Sequence, residues 1–256
     1  MSSVGDGIGK GSFSFKDQET VEAFDAHVER SIPGYHDAQS CISSLARHFV
    51  QPSSTVIDLG CATGMSVARM FEGGWVGPVS TRYVLNDTSK PMAESAKQRV
   101  NKAIDKELGG SKVRPSVLKS TCDGFTALEG HRDSCSVVIS AFCAQFMSPR
   151  DRLPFFRAAH TSLVKNGAFL VFEKLYPRSA RIGDYLRQSH HDLKAAQGHS
   201  REEIAEKDAA LRGVMFPVSA TQLLNELAEA QFVPTPVWRS LMFAGYLCTR
   251  KTDEEL

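Results

Sequence analysis

TVIDLGCATG, residues 55–64, is a short β-branched apolar run that ends in two glycines four positions apart. A run of that length bounded by glycine reads as a buried strand, and the residues after it as the start of a helix. Gly60 and Gly64 permit tight backbone bends and the close approach of a ligand. The turn is neither the GxGxxG of dinucleotide sites nor a phosphate loop ending in GKS or GKT. Asp58, two residues before Gly60, would repel a pyrophosphate but suits a ligand that brings an ammonium or ordered water. S-adenosylmethionine fits: it carries an ammonium, a carboxylate and a sulfonium, and no phosphate. Cofactor contacts are therefore expected from Asp58, Gly60, Cys61 and Gly64.

Downstream the same alternation repeats. Arg82–Asn86 (RYVLN), Val113–Lys119 and Ser136–Ala141 (SVVISA) read as strands, and Gly167 opens a fifth, AFLVFEKL. Helical patterns fill residues 64–72, 90–108 and 150–164, with Pro154 placed in the first turn of the last. Strands alternating with helices predict a mostly parallel sheet covered on both faces. Upstream, Val21, Phe24 and Val28, then Cys41, Ile42, Leu45 and Phe49, recur at helical spacing on either side of Pro33-Gly34. Beyond Pro177, three helices over 179–197, 201–212 and 219–230 precede two strands, the last (LMFAGYLCTR) expected antiparallel at the sheet edge. The expected fold is Rossmann-like α/β with a seven-stranded sheet. A flexible N-terminus (1–16) precedes one domain (17–256), made of a helical lid (17–52), a cofactor-binding core (53–177), a helical insertion (178–232) and terminal strands (233–250). Phe13, Phe15, Phe24 and Tyr35 are expected to help close the lid.

Two acidic loops extend the reading. Asp87 follows the second strand, 23 residues after Gly64, where a carboxylate accepts both ribose hydroxyl protons; Thr88 is its neighbour. Asp123 follows the third strand in TCDGF, where its carboxylate and the Gly124 amide suit the adenine edge. Each alone is equally an ordinary loop aspartate. Together they point to one crevice, because open α/β sheets bind ligands at the C-terminal ends of successive strands. Phe142 and Phe146, after the fourth strand, are candidates to flank the adenine and the acceptor, with core packing as the competing reading.

Composition narrows the class. Thirty basic and 29 acidic residues give a formal net charge of +1, so a charge-driven nucleic-acid partner is not expected. Cys41, Cys61, Cys122, Cys135, Cys143 and Cys248 include no CxxC pair, and no clustered metal ligands accompany them. Free thiols in a reducing, cytoplasmic setting and no metal are the expectation. Neither a signal peptide nor a membrane-spanning run of roughly 18 apolar residues is expected.

These residues resemble the class I methyltransferase superfamily and, more closely, the carboxy-S-adenosyl-L-methionine synthase family, once described as tRNA methyltransferases. The likeness runs over about residues 17–250. RSIPGY (30–35), FVQPSSTVIDLGCATG (49–64), FCAQFM (142–147), FEKLY (172–176) and HHDLKAAQG (190–198) carry it. It implies that Tyr35 contacts the methionine portion of the cofactor, that Asp87 holds the ribose, and that Asp123 lies on the adenine side. It also implies a homodimer through the helical insertion. Two positions depart. Ala141 stands where the family has asparagine, and Lys207-Asp208 stands where it has lysine followed by the arginine that grips the cofactor's extra carboxylate. Losing such a fork typically costs ~2–5 kcal/mol. An aspartate adds repulsion of about 1–4 kcal/mol at a separation near 4 Å. Plain S-adenosylmethionine has no such carboxylate and loses nothing; Lys207 or Arg212 acting from a neighbouring turn is the competing reading.

The expected activity is in-line methyl transfer from S-adenosylmethionine to a small-molecule acceptor. The alternatives are carboxy-S-adenosyl-L-methionine synthesis, with prephenate as carboxylate donor, and non-catalytic S-adenosylmethionine binding. Alignment and exclusion of water are the main work, since the leaving group is already good. If the acceptor holds its proton, Glu173, His190 and His191 are the candidate bases. A strand-end pair of Glu173 with Lys174, and helix packing by the histidines, compete with that role. Met215, Phe216, Trp238 and Met242 are candidates to line the acceptor pocket or to fill the core.

Overall fold

The computed structural model describes residues 18–109, 111 and 113–254; the segment expected to be flexible (1–16), with Phe13 and Phe15, lies outside them. Five parallel strands, β1 (Thr55–Leu59), β2 (Arg82–Asn86), β3 (Ser116–Ser120), β4 (Cys135–Ala141) and β5 (Leu163–Lys174), are extended by β7 (Phe243–Arg250), antiparallel to β5, and by β6 (Phe232–Ser240), antiparallel to β7 and so aligned with the first five, in the order β3-β2-β1-β4-β5-β7-β6. β1 is buried at every position and β4 at its first six. That burial explains why both read as continuous apolar runs rather than alternating ones.

Successive strand residues point to opposite faces, and each face has its own helical layer. Val56, Tyr83, Leu85, Val137 and Leu170 pack with Ile42 and Ala46 of α2 (Tyr35–Phe49) and with Ala96 and Val100 of α4 (Lys90–Leu108). Ile57, Val84, Val138 and Phe169 pack with Phe155 and Phe156 of α6 (Pro149–Ser162) and with Leu223 and Leu227 of α9 (Ala220–Glu229). α1 (Gln18–Ser31) precedes α2, and α7 (Ala180–Ala196) and α8 (Arg201–Ala210) lie between β5 and α9.

Several expectations shift. β7 does not lie at the sheet edge: it sits between β5 and β6, and β6 is the edge. Pro234 and Pro236, two residues apart on β6, have no N–H to donate, and proline is tolerated in a sheet mainly on such an edge. Pro154 is not in the first turn of α6. Ser148 is the N-cap, Pro149 takes the first position, and Pro154 lies inside the helix. The helix expected over 64–72 is the five-residue α3 (Met65–Arg69), followed by a short 3-10 turn at Glu72–Gly74. An unexpected helix, α5 (Gly124–Glu129), follows Asp123. Among the described residues no helix is long and apolar enough to cross a membrane.

Candidate active site

The sheet reverses its strand order at β1 and β4, the position where open α/β sheets form their crevice. At the tip of β1 the chain turns through Gly60 (φ 67°) and Gly64 (φ 76°). A Cβ on Gly60 would fall on the Sγ of Cys143, and one on Gly64 would lie 2.9 Å from the Cα of Ala96. Only glycine fits either place. Between them Ala62 also has positive φ, 46°, a conformation that costs an L-residue roughly 1–2 kcal/mol.

β2 holds this bend in place. Cys61 N–H donates to the Asn86 carbonyl at 2.9 Å, and Ala62 N–H donates to Asp87 Oδ2 at 2.9 Å. Asp87 Oδ1 accepts the N–H of Ser89 at 2.8 Å. Each carboxylate oxygen thus receives one amide and keeps further acceptor capacity. Burial raises the Asp87 carboxyl, and these two amides oppose the shift. Thr88, next to it, is exposed.

Asp58 lies at the fourth position of β1, 1% exposed, with Oδ2 lacking any partner among the described residues. Burial, reinforced by the charge of Asp87, pushes its carboxyl up to about 7. Cys143 stands close by, its thiol raised by burial and by Asp87, Glu173 and Asp58. Tyr35, the first residue of α2, is buried, its ring centroid 6.2 Å from that of Phe142. Burial raises its phenol, as do the charges of Asp25 and Asp58, while Arg99 opposes them.

Phe142 (φ 57°) donates its N–H to the Phe172 carbonyl at 2.7 Å. Its ring packs against Phe172, Trp238 and Phe243 as well as Tyr35, at centroid distances of 5.9–6.3 Å. Asp123 is the N-cap of α5: Oδ1 accepts from the amides of Phe125 and Thr126, and Oδ2 from the Thr126 hydroxyl. The Thr126 amide leads the contacts that hold its carboxyl below the usual range. Asp123 nonetheless stands at the same end of the strands as the glycine turn, because a Cβ on Gly124 would lie 3.8 Å from Leu59, at the end of β1, and 3.9 Å from Asn86, at the end of β2.

Two of the three candidate bases have settled partners, while Glu173 keeps one buried oxygen, Oε1, without a partner among the described residues. Glu173, at the end of β5, is 1% exposed and lies 3.7 Å from Arg152 rather than pairing with Lys174. Arg152 is itself fully buried, bonded to Glu226 and to the Ala144 carbonyl. Burial pushes Glu173 up to about 8 against the pull of Arg152. His190 Nε2 meets the Ser31 carbonyl at 2.8 Å, joining α7 to the end of α1. His191 Nε2 meets Asp208 Oδ2 at 2.7 Å, joining α7 to α8.

Sequence reasoning missed Asp25, Thr63, Arg99, Asn86 and Gln145. Thr63 Oγ1 donates to Asp25 Oδ1 at 2.5 Å, and Asp25 Oδ2 pairs with Arg99. Asn86 Nδ2 donates to the Cys122 carbonyl at 2.9 Å, and Gln145 Oε1 accepts the N–H of Lys174 at 2.7 Å. These bonds join residues far apart in sequence, so no local spacing announces them. All six cysteines are free thiols, and among the described residues no group of three or more His, Cys, Asp or Glu could hold a metal ion.

Comparison with known proteins places this site in context. The chain is 29% identical over 244 residues to the carboxy-S-adenosyl-L-methionine synthase of Yersinia pestis (strain Pestoides F), covering 95% of this chain and 86% of that one. The chain resembles that enzyme along nearly its whole length. An O-methyltransferase family protein from Burkholderia thailandensis superposes with a TM-score of 0.58 at 18% identity, over 91% of this chain and 60% of the other. N,N-8-amino-8-demethyl-D-riboflavin dimethyltransferase from Streptomyces davawensis superposes with a TM-score of 0.53 at 18% identity, over 91% and 58%. The fold is that of the Rossmann-like methyltransferases. No protein-family model matches the chain.

Proposed function

We propose that the protein is an S-adenosylmethionine-dependent methyltransferase acting on a small-molecule acceptor by in-line transfer. The observation that carries this reading is Asp58, a carboxyl 1% exposed, with one oxygen bare, beside a turn that admits only glycine. A buried polar atom without a partner is costly. A ligand that brings an ammonium or an ordered water there relieves the cost, whereas a pyrophosphate meets like charge. The residues present therefore fit S-adenosylmethionine. In this reading Asp87, with Thr88 beside it, takes the ribose hydroxyls through the acceptor capacity left by Ala62 and Ser89. Gly60, Cys61 and Gly64 supply backbone against the methionine portion, and Tyr35 covers it. Asp123, Gly124 and Phe142 border the adenine.

Bound there, the cofactor supplies a methyl group on a good leaving group. The chain's own work is to hold the acceptor in line and to keep water out. A cavity of about 100 Å³ lined by Leu175, Tyr176, Leu186, Ser219 and Met242 lies beside the end of β5, where a small acceptor would enter. Glu173, pushed up to about 8, holds its proton at neutral pH and serves as a base only in alkaline solution. The contacts of His190 and His191 favour packing roles for both.

Carboxy-S-adenosyl-L-methionine synthesis is the second reading, favoured by the 29% identity over 95% of the chain. Asp208 argues against it. Its carboxylate is held by His191, and its charge supports the ammonium groups of Lys174 and Lys194. It already fills the basic corner that an added carboxylate would need. Mass spectrometry of the nucleoside that co-purifies with the protein separates the readings: S-adenosylmethionine or S-adenosylhomocysteine is expected, and a carboxylated nucleoside at high occupancy would refute the choice. The near-balanced charge argues against a nucleic-acid acceptor. Exposed Ile182, Tyr185 and Leu193 on α7 suit a homodimer through the helical insertion, which sedimentation equilibrium tests.

A further inference from the structure

Asp25 links α1 to the glycine turn. Asp25 accepts the hydroxyl of Thr63, which lies between Gly60 and Gly64 and is 2% exposed. Its second oxygen pairs with Arg99 of α4, whose other terminal nitrogen lies 3.5 Å from Met65 Sδ. Asp25 and Arg99 keep 29% and 32% of their side-chain surface exposed, so the pair is reachable rather than sealed. The Tyr35 phenol lies in the field of Asp25, Arg99 and Asp58 together. A carboxylate and a guanidinium therefore stand side by side where the lid helix, the glycine turn and Tyr35 meet.

We propose that Asp25 and Arg99 receive the amino-acid end of the cofactor, the guanidinium taking its carboxylate and the aspartate its ammonium, which leaves the bare oxygen of Asp58 to an ordered water. The proposal rests on the S-adenosylmethionine reading above. A zwitterion carries opposite charges a few bonds apart, and a side-by-side pair of opposite charges is its complement. Without ligand the two groups satisfy each other, so neither is left a bare charge. With ligand, one ion pair is exchanged for two charge-assisted contacts, and the fork of Arg99 suits a carboxylate. The Thr63 hydroxyl keeps Asp25 oriented during the exchange. Asp25 rides on α1, so filling the site also ties that helix to the glycine turn.

Isothermal titration of the full chain with S-adenosylhomocysteine and with methylthioadenosine tests this, since methylthioadenosine keeps the adenosine and thioether but lacks the amino-acid end. Arg99→Gln is expected to weaken S-adenosylhomocysteine roughly 10- to 100-fold while moving methylthioadenosine less than about twofold. Asp25→Asn is expected to act in the same direction. Arg99→Lys keeps the charge without the fork and should fall between; it also provides the comparison if the glutamine variant does not fold. Equal weakening of both ligands, or unchanged S-adenosylhomocysteine affinity, would overturn the proposal. Wild-type protein that binds neither ligand overturns the S-adenosylmethionine reading instead, so the two failures are distinguishable.

Discussion

Asp87 receives the backbone N–H of Ala62 at 2.9 Å, and through that bond the tip of β2 fixes the bend that follows β1. Its other oxygen receives Ser89 N–H at the start of α4. The side chain proposed to hold the ribose is therefore also a structural acceptor between two loops, and its two duties cannot be separated by a simple substitution.

Asp87→Asn should reveal both. An asparagine has one acceptor oxygen, so its amide nitrogen must face either Ala62 N–H or Ser89 N–H, and one donor loses its partner. An unsatisfied partly buried group costs about 1–3 kcal/mol, which for a chain of this size lowers the melting temperature by roughly 2–6 °C. S-adenosylhomocysteine affinity should fall at least about tenfold in the same variant. Differential scanning calorimetry and titration check this, and an unchanged melting temperature would contradict the coupling of the two loops.

Asp58 sets a different trade between stability and binding. Its folded carboxyl is raised from 3.8 to about 7 by burial and by Asp87. Between those values the folded chain keeps a proton that the unfolded chain releases. The stabilising effect of that proton is fully present below about pH 4 and is lost as pH rises through 7. Asp58→Asn cannot ionise, so it should melt progressively higher than wild type as pH goes from 5 to 8, while ligand affinity falls. Melting curves at the two pH values suffice. A difference that does not grow with pH would mean that Asp58 is not held protonated in the fold.

β1 and β4 were legible because each is a short apolar run, and burial on both faces is what writes such runs. The glycine turn, Asp58 and Asp87 were legible for the same reason: strand ends in an open sheet converge. Asp123 was legible as a loop acid, but its use as the cap of α5 was not, since a cap and a ligand contact place the same residue before the same glycine. The interior place of β7 was not legible either, because pairing order is a long-range property. Asp25, Thr63 and Arg99 are separated by 38 and 36 positions and each reads as a surface residue; only α1 folding over the turn brings them together. Arg152 resembles any helical arginine, yet it is fully buried between Glu173 and Glu226.

His190 predicts an acid limit. Burial is the main cause that lowers its imidazole to about 4, although its contact with the Ser31 carbonyl works the other way. The unfolded chain takes up this proton below about 6.5 and the folded chain does not, so stability is held above pH 6.5 and lost as pH falls toward 4. His190→Gln can still donate to Ser31 but cannot titrate. Its melting temperature should therefore fall less steeply than that of wild type between pH 7 and 5, with ligand affinity at pH 7 unchanged. A parallel fall in the two proteins would show that another group carries the acid sensitivity.

Asp208 offers the sharpest test of which one-carbon chemistry the site accommodates. Burial and mutual repulsion press on its neighbours: Lys174 is lowered to about 8, Lys207 to about 8 with Lys194 as the repelling charge, and Lys194 is lowered by its own burial. Asp208 opposes the shift at Lys174 and Lys194 and bonds His191. Asp208→Arg removes this counter-charge and adds another cation, so the ligand-free variant should melt several degrees lower, more so at low salt. The same change supplies a fork for a carboxylate. Carboxy-S-adenosylmethionine should then gain at least about tenfold in affinity relative to S-adenosylmethionine. Asp208→Asn lifts the repulsion without adding the fork and should gain less. If all three proteins show the same ratio of affinities for the two nucleosides, Asp208 does not select the cofactor, and the preference for the plain methyl donor must arise elsewhere in the crevice.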